Sequence, residues 1–270
     1  MKFSVAIAEE ALPAEPVLFR GDLIESMGKA EGMGYDAAEI HTRDAALLDL
    51  DALTGRGEKT SFTVSALATG LAKRVDGLTF ISDDEAVREE AVARVKKFIE
   101  AAERLKTGVI VGSLRGIIPN PAERDVYDRR FRDCLEQLLP EAQNRGVDIH
   151  LEMINRYENN YLNTAREGLE YIKPLASGNL KLHLDTYHMN IEEADMTEAI
   201  RACGDRLGYF HVAENTRRYV GSGAIDFAKV FSALKDIGYR GYVSLECLAL
   251  PDPDTAARKS IDFMRSIDRP

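Results

Sequence analysis

The stretch NLKLHLD, Asn179–Asp185, alternates apolar and polar side chains as a β-strand does. Its three leucines share one face, and the opposite face carries Lys181, His183 and Asp185. A parallel strand that is covered on both faces is normally apolar throughout. The stretch therefore predicts a strand with one face against helices and a polar face directed into a closed barrel.

Seven further strand-like segments occur along the chain. With this one, they are FSVAIA, AAEIHT, TSFTVSAL, GVIVGS, VDIHLE, NLKLHLD, LGYFHV and YVSLEC. Amphipathic segments with helical spacing of apolar residues lie between them. This alternation predicts a parallel sheet, and eight units in about 250 residues are typical of an α/β (β/α)8 TIM barrel with a single domain over residues 1–270. A doubly wound open sheet is the competing architecture, but no GxGxxG motif follows the first strand.

Three helix boundaries can be predicted from local signals. Asp83 or Asp84 is suited to cap the helix that follows it. Pro140 should end or kink the helix within ERDVYDRRFRDCLEQLLPEAQNRG. A later helix should begin near Asp226 and end at Gly238, a residue type that commonly follows a helix.

Composition excludes several classes of protein. The net charge of -10 disfavours nucleic acid and anionic membranes as partners. The three cysteines are far apart, so they predict neither a thiolate zinc site nor a disulfide framework. The chain has no apolar run of about 20 residues and no signal-peptide pattern at its start. We therefore expect a cytoplasmic protein.

The last inward-facing polar residues of the final four strands are chemically distinctive. They are Glu152, Asp185, His211 and Glu246. All four should lie at the carboxyl-terminal rim, where barrel active sites are built. Three carboxylates and one imidazole at one point favour a divalent cation such as Mn²⁺, Mg²⁺ or Co²⁺. The alternative interpretation is that these residues form ion pairs in the core.

Several motifs resemble those of the ketose 3-epimerases, a group within the xylose isomerase-like TIM barrels. The motifs are LEMINRYENNYLNT, HLDTYHMNIEE, GYFHVAENTRR, GSGAIDF and GYVSLE. The resemblance implies metal ligands at Glu152, Asp185, His211 and Glu246, and substrate contacts from Glu158, His188 and Arg217. It also implies a small-molecule sugar substrate, Mn²⁺ as the best-suited ion, and a homodimer or homotetramer.

The implied reaction is the epimerisation of a ketose at C3 through a cis-enediolate. Glu152 and Glu246 would be the acid/base pair, one on each face of the sugar. The metal ion would polarise the carbonyl group. Arg217 and His188 would stabilise the developing oxyanion, with His188 placed on a loop just beyond its strand.

The first half of the chain departs from the family pattern, since the loop after the first strand has no tryptophan. Arg115, after the fourth strand, is predicted near the rim, where its charge would suit an acidic or phosphorylated sugar. An ion pair with a neighbouring carboxylate is an equally suitable role for it. Ser65, expected at the end of the third strand, is predicted to line the pocket.

Three other functions remain as alternatives. An aldose–ketose or hydroxypyruvate-type isomerase acting on an acidic or phosphorylated sugar would use the same enediolate chemistry. An apurinic-site endonuclease would need three zinc ions and more than the five histidines of this chain. A non-catalytic sugar-binding barrel would not need two glutamates beside one ion.

Overall fold

The eight strand-like segments form one parallel sheet in the computed structural model, which describes residues 1–268. The strands are β1 (Lys2–Ala8), β2 (Ala37–His41), β3 (Thr63–Ala68), β4 (Gly108–Val111), β5 (Ile149–Glu152), β6 (Leu180–Asp185), β7 (Leu207–Val212) and β8 (Tyr242–Leu245). β1 pairs with both β2 and β8, which closes the sheet. A two-residue strand, Phe19–Arg20, pairs beside β1. The predicted (β/α)8 TIM barrel is confirmed.

Helices follow the strands and surround the barrel. The α-helices are α1 (Leu23–Gly32), α2 (Leu50–Lys59), α3 (Gly70–Asp76), α4 (Glu85–Leu105), α5 (Arg124–Asn144), α6 (Ala165–Ile172), α7 (Thr186–Glu192), α8 (Met196–Cys203), α9 (Phe227–Asp236) and α10 (Pro253–Ile267). Short 3-10 helices are Ala45–Leu47, Ser113–Arg115, Pro121–Glu123, Lys173–Leu175 and Gly204–Arg206. Within the described range, no helix combines the length and apolar character that a membrane span requires.

The two faces of the strands differ as the alternation predicts. The outward-facing leucines of β6, Leu180, Leu182 and Leu184, are fully buried in the large apolar core. Burial of each such side chain contributes about 2 kcal/mol. A small apolar cluster that includes Ile110 and Tyr209 is separate from this core. Most of the inward-facing side chains of β5–β8 are instead polar, so the interior of the barrel offers side chains that can bind a ligand or transfer protons.

Two of the three predicted helix boundaries are confirmed. The Asp84 side chain accepts a hydrogen bond from the Ala86 amide at the start of α4. Asp226 caps α9, and Gly238 follows that helix with a φ of 67°. The expectation that the helix ends at Pro140 is wrong, because α5 continues through it to Asn144. Buried apolar residues on both sides of Pro140 pack the last turn of α5 against the core, and this packing compensates for the missing N–H.

Candidate active site

The carboxyl-terminal ends of β5–β8 bring four side chains together. Glu152 and Asp185 end β5 and β6, His211 is the last but one residue of β7, and Glu246 follows β8 directly. His211 Nδ1 lies 3.6 Å from Glu246 Oε2 and 3.9 Å from Asp185 Oδ2. One atom from each of Asp185, His211 and Glu246 lies within 4.8 Å of the others, as do atoms of Glu152, Asp185 and His188. The side chains are all buried or nearly so.

Two atoms in this cluster fit the role of metal ligands. Asp185 Oδ1 accepts a hydrogen bond of 2.8 Å from the Tyr187 amide, whereas its Oδ2 is buried without a hydrogen-bond partner. His211 Nε2 lies 2.7 Å from Glu39 Oε2, and its Nδ1 is likewise buried without a partner. Buried polar atoms are almost always paired, so both point to an ion at this place. A carboxylate on the second ring nitrogen is the usual support for a metal-binding histidine.

The electrostatics of the cluster also favour a cation. Burial, and then the charge of Glu246, raise the pKa of Glu152 to about 8. Burial is also the main cause that raises the pKa of Asp185 to about 6. Burial acts on Glu246 in the same direction, but the Arg217 guanidinium and then His211 outweigh it and hold the pKa of Glu246 far below its usual range. Without further positive charge, the three carboxyl groups cannot all ionise easily.

Arg217 lies over this cluster. Its Nη2 is 2.5 Å from Glu246 Oε2, and its Nη1 is 3.2 Å from Glu158 Oε1. The guanidinium also lies 4.6 Å from the centre of the Tyr187 ring. Arg217 can therefore donate to an oxygen atom placed between Glu158 and Glu246.

His188 also reaches the cluster, but from a helix. It lies in the first turn of α7, which Asp185 caps, so the expectation of a loop residue is wrong. The strand passes directly into the helix because the aspartate that ends β6 also satisfies a free helical amide. His188 Nδ1 lies 2.6 Å from Asn155 Nδ2, and His188 Nε2 lies 3.6 Å from Glu152 Oε1. The Asn155 amide thus directs Nε2 toward the cluster.

A cavity of about 550 Å³ opens over the cluster, a size that suits a small molecule. The polar residues that line it are Glu39, His41, Glu152, Glu158, Tyr187, His188, His211, Arg217 and Glu246, among others. Gly112 also lines it and gives the Glu152 carboxylate its room. A Cβ atom at Gly112 would come within 2.1 Å of Glu152 Oε2.

Glu39 and His41 are site residues that the sequence reasoning missed. Glu39 is fully buried on β2, where Oε1 lies 2.6 Å from His41 Nε2 and Oε2 pairs with His211. The signal was present in AAEIHT. Glu39 and His41 are two positions apart, so they share the inward face of the strand, as the polar residues recognised on the later strands do. Asn155, within LEMINRYENN, was also not singled out.

Arg115 does not reach the cavity, which corrects its expected role at the rim. Its side chain is fully buried. The guanidinium donates to the backbone carbonyl oxygens of Glu152, Tyr161 and Leu162. Residues 113–115 form a turn that directs Arg115 behind β5 rather than over the barrel. It therefore offers no charge to an acidic or phosphorylated sugar.

Ser65 lies at the opposite end of the barrel from the cluster, which corrects the second expectation. β3 continues for three residues beyond Ser65, to Ala68. The Ser65 hydroxyl is 2.7 Å from Tyr209 Oη and 2.6 Å from Ser4 Oγ. It lines a separate cavity of about 420 Å³ with His150. The strand begins three residues later than the segment TSFTVSAL and ends one residue later, so Ser65 lies in its first half rather than at its end.

Comparison with known proteins identifies close relatives of this barrel. The family described as "Xylose isomerase-like TIM barrel" matches residues 27–267. An L-ribulose 3-epimerase from Methylomonas sp. (strain DH-1) is 37% identical to this chain. The match covers 90% of this chain and 84% of the relative's sequence. An L-ribulose 3-epimerase from Mesorhizobium japonicum is 33% identical, and that match covers 92% of this chain and 83% of the relative's sequence.

Comparison with solved structures finds the same kind of protein as the sequence comparison. The crystal structure of a D-allulose 3-epimerase from Methylomonas sp. in complex with D-allulose superposes with a TM-score of 0.82. The two chains are 27% identical, and the match covers 98% of this chain and 96% of the other.

Proposed function

The chain belongs to the xylose isomerase-like TIM barrel family, and we propose that it is a metal-dependent sugar epimerase that inverts C3 of a ketose. The observation that carries this proposal is the cluster formed at the ends of four strands. Two of its buried candidate ligand atoms, Asp185 Oδ2 and His211 Nδ1, have no hydrogen-bond partner. Two relatives of which this chain covers more than four fifths are named L-ribulose 3-epimerases, which supports the same reaction.

Glu152, Asp185, His211 and Glu246 would hold the ion. Their oxygen-rich donor set suits Mn²⁺ best, and it also accepts Mg²⁺ or Co²⁺. When bound, the ion supplies polarisation of the substrate carbonyl, which makes the neighbouring C–H bond more acidic.

In this proposal the two glutamates transfer protons on opposite sides of the sugar. Glu152 belongs to β5 and Glu246 follows β8, with two strands between them. One carboxylate removes the C3 proton to give a cis-enediolate, and the other carboxyl group returns a proton to the opposite face. Because the proton leaves from one face and arrives at the other, the configuration at C3 inverts.

Three further side chains would position the sugar. Arg217 and His188 Nε2 donate hydrogen bonds to the oxygen atoms on which negative charge develops. Glu158, which already accepts from Arg217, accepts from a sugar hydroxyl group. These roles need no movement of the backbone, because each side chain already lines the cavity.

The charges around the cavity favour a neutral sugar over an acidic or phosphorylated one. Arg217 is already paired with Glu246 and Glu158, and Arg74 is paired with Glu15. Arg115 is buried elsewhere. An anionic group on the sugar would therefore have to displace an existing ion pair.

The test is turnover of L-ribulose and D-psicose in D₂O with added Mn²⁺, read by NMR of the products. We expect the C3 epimer with deuterium at C3. An aldose product with deuterium at another carbon would instead support the isomerase. Glu246→Gln should lower kcat by at least about 100-fold, because a positioned acid/base group contributes 10²–10⁴-fold. Full activity of the protein after exhaustive chelation would contradict the metal dependence.

A further inference from the structure

His183 is a fully buried histidine that has no hydrogen bond to either ring nitrogen. Its side chain is 0% exposed, and both Nδ1 and Nε2 are buried without a partner in the described part of the chain. A buried imidazole normally has at least one of these atoms paired. Two unpaired nitrogens in one ring leave both free to bind a ligand from outside the described residues.

The surroundings of His183 favour a metal ion as that ligand. His183 is in register with Glu152 on the neighbouring strand β5. Its ring centre lies 4.1 Å from that of His211, nearly perpendicular to it. One ligand atom from each of Glu152, His183 and His211 lies within 4.8 Å of the other two. This set overlaps the four strand-end residues but includes a second imidazole.

His183 lies one inward-facing position deeper in the barrel than Asp185. Asp185 is in register with His211, whereas His183 is in register with Tyr209, which is two residues earlier on β7. An ion shared by Glu152, His183 and His211 would therefore lie deeper than one held by Asp185, His211 and Glu246. Oxygen atoms supply most of the outer set, whereas two nitrogens and one carboxylate supply the inner set.

We propose that His183 is an additional metal ligand that, with Glu152 and His211, selects Co²⁺, Ni²⁺ or Zn²⁺ over Mg²⁺. Imidazole nitrogen binds the later divalent metals well, whereas Mg²⁺ prefers oxygen and retains its waters. A second imidazole thus strengthens binding of the later ions and leaves Mg²⁺ binding almost unchanged. This inference rests on the metal centre of the proposed function.

The experiment compares His183→Leu with the parent protein after both are stripped of metal. Co²⁺ is titrated while its visible absorption bands are recorded, and Mg²⁺ affinity is measured by calorimetry. We expect Co²⁺ affinity to fall by at least about tenfold, which is the smallest loss seen even for residues that only support a ligand. The absorption bands should change, and Mg²⁺ affinity should remain close to that of the parent.

His150→Leu is the matched control. His150 is also a buried histidine on an inward face, and its Nδ1 is also unpartnered, but it lines the cavity at the other end of the barrel. Its loss should change neither Co²⁺ affinity nor the spectrum. Equal losses in the two variants would overturn the proposal, because they would indicate a general packing effect.

Two further variants separate the remaining outcomes. If His183→Leu does not fold, His183→Gln replaces it, and Co²⁺ binding like that of the parent in either variant overturns the proposal. Asp185→Asn tests the outer set, to which Asp185 belongs and His183 does not. Loss of Co²⁺ binding in Asp185→Asn but not in the His183 variants would leave the proposed function intact and overturn this inference alone. Parent-like Co²⁺ binding both in Asp185→Asn and in the His183 variants would contradict the metal centre itself.

Discussion

Glu39 holds two imidazoles at once, since its two carboxylate oxygens pair with His41 and His211. It is fully buried, and burial would by itself favour the neutral acid. The charges of His211 and His41, together with their hydrogen bonds, instead lower the pKa of Glu39 well below its usual value. The carboxylate therefore remains ionised and fixes the orientation of the His211 ring. In the proposed metal centre, Glu39 would support the candidate ligand His211.

Glu39→Gln should weaken metal binding without removing a ligand. The amide keeps the size of the side chain but loses the charge that holds His211, and such changes cost about 10–100-fold in metal affinity. Titration of the stripped protein with Mn²⁺ measures this loss. Glu193→Gln is a control, because Glu193 is a partly buried carboxylate whose contact is with the Ala165 amide. Unchanged Mn²⁺ affinity in Glu39→Gln would exclude the supporting role.

Arg115 is a residue of stability rather than of substrate binding. Removal of its side chain would leave the carbonyl oxygens of Glu152, Tyr161 and Leu162 buried without these donors. Hydrogen bonds to charged groups contribute about 1.5–3 kcal/mol each, so Arg115→Ala should lower the free energy of unfolding by about 3 kcal/mol or more. Equilibrium unfolding in urea measures this free energy.

The control for Arg115 is Arg166→Ala, which removes an arginine whose side chain is 87% exposed. Surface changes of this kind usually alter stability by less than about 0.5 kcal/mol. If Arg115→Ala unfolds like the control, and loses activity only toward anionic sugars, the earlier expectation of a rim cation is correct after all.

At the scale of elements, the ends of the strands fix the positions of the candidate ligands. The segments next to those ends determine how much space the ligand side chains have. Glu152 projects from the end of β5 toward the segment that follows β4. Gly112 occupies that segment, and the Glu152 carboxylate fills the space that a larger side chain would take. The geometry of the candidate ligand set thus depends on a residue that carries no functional group.

Gly112→Ala should therefore displace Glu152. The added Cβ would meet the carboxylate at 2.1 Å, so the Glu152 side chain must move away from its place in the candidate ligand set. We expect Mn²⁺ affinity to fall at least about tenfold, as it does when support for a ligand is lost. Gly178→Ala is the matched control, because a Cβ there would meet nothing within 4 Å. Equal Mn²⁺ affinities in the two variants would contradict this account.

The strands and their inward faces could be predicted from the sequence, whereas the connections could not. Period-two alternation is a property of the strand itself, so it identified Glu152, Asp185 and His211, and the same rule applied to AAEIHT would have found Glu39. The direction of Arg115 depends on a turn and on the core behind β5, which no local pattern describes. The helix that carries His188 is short and capped from a strand, so it lacks the length from which periodicity is recognised.

At the scale of the whole molecule, the candidate metal centre joins the ends of β5, β6, β7 and β8. These strands are consecutive neighbours in the barrel, and β8 in turn closes the sheet against β1. An ion bound at their ends would link half of the barrel through one point. The carboxylates that repel each other there would also be neutralised. Metal binding and the stability of the fold should therefore be coupled.

Removal of the metal should lower the melting temperature of the protein, and its return should restore it. A ligand at 100 times its Kd stabilises the folded state by about 2.7 kcal/mol. For a chain of this size, that corresponds to roughly 5–10 °C in Tm. Differential scanning calorimetry with a chelator, and then with Mn²⁺, measures the shift. Asp185→Asn should show almost none of this shift, because Asp185 Oδ2 is a candidate ligand atom that has no hydrogen-bond partner. A shift of equal size in that variant would place the stabilising ion elsewhere.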